Sequence, residues 1–181
     1  MIAELTNKKQ VSIRQWQPAD AETLFTYLQG LSVESRSRFG PHAFDKETVS
    51  NICNNQIPGW EGYLALDNSN GNILAYMLIC QGMNEWDEKR YAQRNIFFDT
   101  TSTVTFAPSV GDAWQSAGLG TLMNIFIESD LKKRGIKSIV LWGGVQASNE
   151  KAVNFYKKHH YQYISTFRNN GMDNFDMVKY L

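Results

Sequence analysis

Apolar and polar positions alternate through Val11-Ser-Ile-Arg-Gln-Trp16, which predicts a first strand, because side chains two apart share one face of an extended chain. Pro18-Ala-Asp20 then leads into a helical pattern, with Leu24, Phe25, Tyr27 and Leu28 clustered before Gly30 stops it. Residues 31–44 are polar and irregular and read as a loop or a short broken helix. Asp45 is placed to cap a second helix that carries Val49, Ile52 and Cys53 on one face. The apolar runs 62–66 and 73–80 flank Asp67-Asn-Ser-Asn-Gly71, the signature of a β-hairpin. Residues 83–95 are polar, charged and aromatic and read as an excursion between strands. The next strand is expected within Ile96 to Val110, with Pro108 marking a bulge or an edge.

The clearest helix runs from Gly118 to Arg134. Leu119, Leu122, Met123, Phe126, Ile127 and Leu131 follow helical spacing, Lys132, Lys133 and Arg134 fill the last turn, and Gly135 closes it. Ser138 to Trp142 reads as a buried strand. Ser148 or Asn149 caps a short helix through Ala152, Val153, Phe155 and Tyr156. Tyr161 to Phe167 and Phe175 to Tyr180 form a closing hairpin around Asn169-Asn-Gly171. Strand–helix–strand order of this kind predicts an α/β (α+β) domain, a mixed sheet with helices on both faces rather than an all-parallel doubly wound one. The length of 181 residues suits a single domain spanning 1–181, with its core from about residue 11.

Composition narrows the function classes. Lys plus Arg and Asp plus Glu number 18 each. With no basic excess or visible stripe, broad nucleic-acid binding is not expected. Cys53 and Cys80 stand far apart with no CxxC spacing, which argues against a disulfide framework or a zinc site and fits a reducing compartment. No apolar leader and no long apolar run is visible, so no membrane partner is expected and the cytoplasm is the default location.

The most informative stretch joins a strand to the strongest helix: Val110-Gly-Asp-Ala-Trp-Gln115-Ser-Ala-Gly118-Leu-Gly120-Thr-Leu-Met123. Glycines at a helix entrance let the backbone approach a bound group, and the first helical amides lie unpaired at the positive end of the dipole, a seat for a phosphate. On its own this GxG also reads as a tight strand–helix connection. Neither GxxxxGK[ST] nor GxGxxG is present, so a P-loop or dinucleotide site is unsupported.

Gln115-Ser-Ala-Gly118-Leu-Gly120 nonetheless resembles the Q/R-x-x-G-x-G/A signature of the GNAT superfamily of N-acetyltransferases. The downstream block from Asn149 through Ala152 and Tyr156 to Tyr161 is similar to that family's N-x-x-A-x-x-x-Y-x-x-x-G-F segment. The resemblance covers roughly residues 11–181. It implies a mostly antiparallel GNAT-like sheet with splayed central strands. It also implies that Gln115, Ser116, Ala117, Gly118, Leu119 and Gly120 hold the pyrophosphate of acetyl-CoA through their amides, with Thr121 adding its hydroxyl. Backbone at Ser109 and Val110 would pair with the pantetheine arm, and Asn149 would touch the pantetheine or the adjacent helix. Two positions depart from the pattern: Ser116 and Ala117 are neutral where many members carry Arg or Lys, and His160 stands where glycine is usual.

The chemistry implied is acetyl transfer from acetyl-CoA to a primary amine of a small molecule or peptide, in a ternary complex. Attack needs a neutral amine, so a general base or a water chain must take its proton, and the leaving thiolate gains from an acid. Tyr156, a phenol with ordinary pKa near 10, is the family's acid position, although spacing alone also fits a core tyrosine. Asp99 and His42 are the candidates for the base; each also reads as an ordinary loop residue. Asp112, Arg36 and Arg38 are weaker candidates of the same kind, and the adjacent pair His159–His160 does not share a helix face, so no metal is expected. A homodimer is compatible with the resemblance. The alternative is a non-catalytic acyl-CoA-binding sensor or interaction domain on the same fold, motivated by the missing obvious base.

Overall fold

A computed structural model describes the whole chain, Met1 to Leu181. It is a mixed α/β protein with a mostly antiparallel open sheet and six α-helices. The chain divides into two compact units, Met1–Ile79 with Ala107–Leu131, and Cys80–Phe106 with Lys132–Leu181.

The first unit opens with β1 (Ile2–Glu4) and β2 (Gln10–Gln15), an antiparallel pair in which Ala3 faces Val11. Three helices follow: α1 (Ala21–Gly30), α2 (Val33–Ser37) and α3 (Lys46–Cys53). Asp45 caps α3 by accepting the Thr48 amide at 2.7 Å, as its position predicts. β2 pairs antiparallel with β3 (Trp60–Asp67), Ile13 opposite Ala65. The Asp67–Gly71 turn joins β3 to β4 (Ile73–Gln81), with Gly71 at φ +75°. At Gly62 any side chain is excluded, because a Cβ there would lie 2.0 Å from the Trp16 ring. The second half of β5 (Thr103–Val110) and nearly all of α5 (Leu119–Lys133) complete this unit. α5 buries Leu119, Met123, Ile127 and Leu131, a stripe at four-residue spacing. Each such side chain contributes about 1.5–3 kcal/mol by leaving water.

The second unit contains α4 (Glu85–Ala92), the first half of β5, β6 (Ser138–Leu141), β7 (Val145–Gln146), α6 (Glu150–Lys158), β8 (Gln162–Asn169) and β9 (Met172–Tyr180). β5 and β6 run parallel, with Thr103 opposite Ser138 and Phe106 opposite Leu141; β9 is antiparallel to β6, β7 and β8. The polar stretch expected as an excursion is the helix α4. Asn84 caps it by accepting the Asp87 amide, Glu85, Asp87 and Glu88 occupy its first turn, and Lys89 and Arg90 its last. Charge placement along the dipole, rather than an apolar stripe, specifies it.

α4 docks by an ion network. Arg90 makes a double hydrogen bond to Asp176 (2.7 and 3.0 Å) and pairs with Asp87 at 2.7 Å, all three side chains being buried. Its guanidinium lies 3.9 Å from the Phe167 ring centre and 4.2 Å from that of Trp86. Asp87 also accepts the Gly143 amide at 2.9 Å, tying α4 to the turn that follows β6.

The strand expected within Ile96 to Val110 begins only at Thr103, since Asp99 organises the residues before it into a turn. Pro108 lies past Phe106, where pairing with β6 ends, so its missing amide proton costs no ladder bond on that side. β1 and β7 are too short for a periodic signal and were not visible in the sequence pattern.

Candidate active site

The segment Gly111–Gly118 connects β5 to α5. A 3₁₀ turn at Asp112–Trp114 comes first; then Gln115 is extended, Ser116 is left-handed (φ +65°) and Gly118 left-handed again (φ +84°). The first bond of α5 is donated by Leu122 to the Gly118 carbonyl at 3.1 Å. The amides of Ser116, Gly118, Leu119 and Gly120 make no backbone hydrogen bond of ordinary geometry, so the turn presents donors at the positive end of a fifteen-residue helix. Ser116 and Gly118 are exposed. A doubly charged phosphate group is the ligand such a turn suits, and it needs no cationic side chain from the turn itself.

The turn is braced from two sides within its unit. Thr6 donates its hydroxyl to the Ala117 carbonyl at 3.2 Å, and Gln115 reaches back to the Val110 carbonyl at 3.3 Å. Asp112 accepts three bonds from the start of α2: the Ser32 amide at 2.9 Å, the Ser32 hydroxyl at 3.0 Å and the Ser35 hydroxyl at 2.5 Å. These donors, the Ser35 hydroxyl foremost, hold its carboxyl below the usual carboxylate range. Gly111 packs so closely that a Cβ there would sit 3.1 Å from the Leu74 carbonyl and 3.4 Å from the Tyr27 ring. Tyr27 hydrogen-bonds Ser109 at 2.9 Å, which places an α1 phenol beside the last residues of β5. Pairing of β5 with β6 ends at Phe106 opposite Leu141.

This connection carries the Gln115–Gly120 segment on which the sequence resemblance rests. A model of the acetyltransferase (GNAT) family matches residues 28–161. The chain belongs to the GNAT acetyltransferase family. Solved structures with the same GNAT fold include the GNAT domain of S. lividans PAT, 18% identical with a TM-score of 0.78 over 100% of this chain and 96% of that one. A GNAT-family acetyltransferase from Streptococcus pneumoniae is 21% identical, with a TM-score of 0.70 over 94% of this chain and 99% of that one. PaiA N-acetyltransferase from Thermoplasma acidophilum, solved in complex with coenzyme A, is 15% identical, with a TM-score of 0.67 over 94% and 99%. No curated protein matches the sequence.

In this GNAT chain the second signature segment folds as follows. Asn149 caps α6, its side-chain carbonyl accepting the Ala152 amide at 3.2 Å. Tyr156 lies on the buried face of α6, its ring edge-on to Phe155 and Tyr161, and burial raises its pKa. It is therefore protonated throughout the physiological range. His160 takes the left-handed conformation (φ +65°) with its amide on the Lys157 carbonyl, so the turn usually made with glycine is kept by a histidine. An L-residue held in that conformation costs about 1–2 kcal/mol of backbone energy.

The base candidates fare differently. Asp99 is exposed and accepts the Thr101 hydroxyl at 2.7 Å, the Thr101 amide at 2.9 Å and the Ser102 hydroxyl at 2.9 Å. These bonds lower its pKa and commit it to shaping a turn, the opposite of what a base needs. His42 sits in an aromatic cluster with Phe39, Phe44, Trp60 and Tyr76. Its Nδ1 lies 2.8 Å from the Ala43 carbonyl, which requires the proton on that nitrogen; Nε2 then accepts from the Tyr76 hydroxyl at 3.3 Å. Burial lowers its pKa, so it stands neutral at pH 7 with its lone pair engaged. No cluster of His, Cys, Asp or Glu side chains could hold a metal, and no helix is long and apolar enough to cross a membrane.

Proposed function

We propose that this protein transfers the acetyl group of acetyl-CoA to a primary amine of a small molecule or peptide, by direct attack in a ternary complex. The observation that carries the proposal is the turn at the start of α5, with Ser116 and Gly118 left-handed and exposed, in a chain that belongs to the GNAT family. Gln115 to Gly120, with Thr121 in the first turn of α5, would hold the pyrophosphate through amides. Ser109 and Val110 would pair with the pantetheine, and Asn149 would contribute its side-chain amide there. Tyr156 would protonate the departing thiolate. The Val110 amide would face the thioester carbonyl, whose oxygen gains charge as the amine attacks.

The amine's proton needs a route. With Asp99 and Asp112 occupied in turns and His42 neutral and engaged, the route favoured is through water to solvent, drawing on the fraction of neutral amine. Such an enzyme accelerates steeply as pH rises toward the amine's own pKa. The same engagement of the candidate bases supports the second reading, an acyl-CoA-binding sensor without transfer. Thiol release from acetyl-CoA in the presence of a panel of polyamines, amino sugars, amino acids and peptide N-termini separates them. Turnover with any one amine supports the enzyme; cofactor binding with no turnover on any of them supports the sensor.

A further inference from the structure

The end of β5 is short of one backbone donor. Along a strand, the amides and carbonyls of successive residues point to opposite sides. The Gly111 amide donates to the Leu74 carbonyl of β4 at 2.9 Å, while the Phe106 carbonyl accepts the Trp142 amide at 3.0 Å on the other side. Residues 106, 108 and 110 therefore turn their backbone groups away from β4, and residues 107, 109 and 111 toward it. Position 108 is proline, which has no N–H. Past Phe106, Val110 is thus the one strand residue whose backbone can donate on the side away from β4.

Between these two positions stands a hydroxyl. Ser109 is 8% exposed, the single polar side chain between Phe106 and Val110. Tyr27 of α1 holds it, the phenol oxygen lying 2.9 Å from Ser109 Oγ. The Tyr27 ring is itself fixed, packed where a Cβ on Gly111 would lie 3.4 Å from it. The direction of the bond follows from the partners. The phenol oxygen also receives the backbone amide of Tyr76, and a phenol is a stronger acid than an alcohol, so Tyr27 donates and Ser109 accepts. The serine hydrogen is then turned away from the phenol, and Ser109 Oγ makes no second hydrogen bond within the fold. Tethering α1 to β5 explains the phenol's bond. It does not explain a buried hydroxyl that keeps one donor unspent, because an unpaired buried donor is costly.

We propose that the Ser109 hydroxyl is a second donor to the thioester oxygen, standing in for the amide that Pro108 lacks, and that Tyr27 is the residue that positions it. This role rests on the acetyl-transfer reading above, in which the neighbouring Val110 amide faces the same oxygen. As the amine attacks, the carbonyl π pair moves onto oxygen, and the amide and the hydroxyl together meet that charge. When the C=O bond re-forms, the C–S bond breaks and CoA leaves as the thiolate. Ser109 keeps its own proton throughout, so the role asks for no base.

Steady-state thiol release from acetyl-CoA, with the panel amine that turns over fastest, tests the role in Ser109→Ala, Tyr27→Phe and the double variant. Melting temperature with and without acetyl-CoA is recorded for each. Loss of one such donor costs about 10²–10³-fold in kcat. Ser109→Ala is expected to lose about a hundredfold in kcat with KM for acetyl-CoA nearly unchanged, because the donor acts on charge that exists only in the transition state. Tyr27→Phe is expected to lose less, again in kcat, and to cost nothing further when added to Ser109→Ala, since it acts through that hydroxyl. Ser109→Thr keeps the hydroxyl and should recover most of the loss. A tether with no part in the chemistry would instead lower the melting temperature, and the two losses would multiply. Wild-type kcat in Ser109→Ala, a loss confined to KM, or multiplying losses in the double variant overturns the proposal. If Ser109→Ala fails to fold, Tyr27→Phe carries the same test, and an unchanged kcat there overturns it. An active wild type beside an unimpaired Ser109→Ala removes this role alone. A wild type that acetyl-CoA stabilises but that releases no thiol with any amine removes the transfer reading along with it.

Discussion

Replacing Gly118 by alanine separates the backbone geometry of the turn from its crowding. A Cβ at this position meets only the Thr6 methyl, at 3.8 Å, an ordinary contact. The entire cost therefore lies in the backbone, because φ is +84°. An L-residue held there loses about 1–2 kcal/mol, and the stiffer unfolded chain returns about 0.4–1. The net loss is about 1 kcal/mol, or roughly 2–4 °C in a chain of this size. If the turn instead relaxes to a negative φ, stability is retained but the amides swing away, and stabilisation by acetyl-CoA disappears. Thermal melts of wild type and Gly118→Ala, each with and without acetyl-CoA, distinguish these paths. Gly30→Ala is the control: it sits in α1 with open space around its Cα and no positive φ, and should gain about 0.5–1 kcal/mol. A Gly118→Ala protein that melts and responds to acetyl-CoA as wild type does refutes the assignment of this turn.

Three further outcomes are expected. Tyr156→Phe should lower turnover about a hundredfold, the scale of a lost general acid, with acetyl-CoA binding retained; full turnover would remove Tyr156 from the chemistry. His42 is neutral in the fold with its pKa depressed by burial, so the unfolded chain binds more protons below about pH 6.5, and stability should fall as pH drops through that value toward the folded pKa. In His42→Gln this part of the pH dependence of the melting temperature should vanish, and its persistence would assign it to other groups. Asp176→Asn leaves Arg90 buried without its main partner and should cost about 3–5 kcal/mol in chemical denaturation, whereas a loss below 1 kcal/mol would show the network to be solvated.

The sequence made legible whatever depends on local periodicity or on backbone chemistry. α5 was readable from its Leu119, Met123, Ile127 stripe and its closing cations, and the strand-to-helix turn before it from glycines set at a helix entrance. α4 was not, because its packing rests on Arg90 and Asp87, charged residues whose burial is decided by Asp176, eighty-six positions on in the case of Arg90. Tyr27 was read only as a core helix residue, since nothing local announces a phenol that reaches Ser109. Asp112 and His42 were visible as titratable groups, but their roles are set by Ser32, Ser35 and Tyr76, partners that only the fold brings close. The left-handed backbone at His160 was not legible either, because no glycine stands there to announce it.

The most direct test of the central claim is thermal stability in the presence of acetyl-CoA, free CoA and ATP. At about 100 times Kd a ligand specific for the native state adds about 2.7 kcal/mol, roughly 5–10 °C here. A shift of that size with acetyl-CoA and CoA, and none with ATP, is the predicted result. No shift with millimolar acetyl-CoA would contradict the account, because the neutral Ser116-Ala117 turn would then not hold the pyrophosphate.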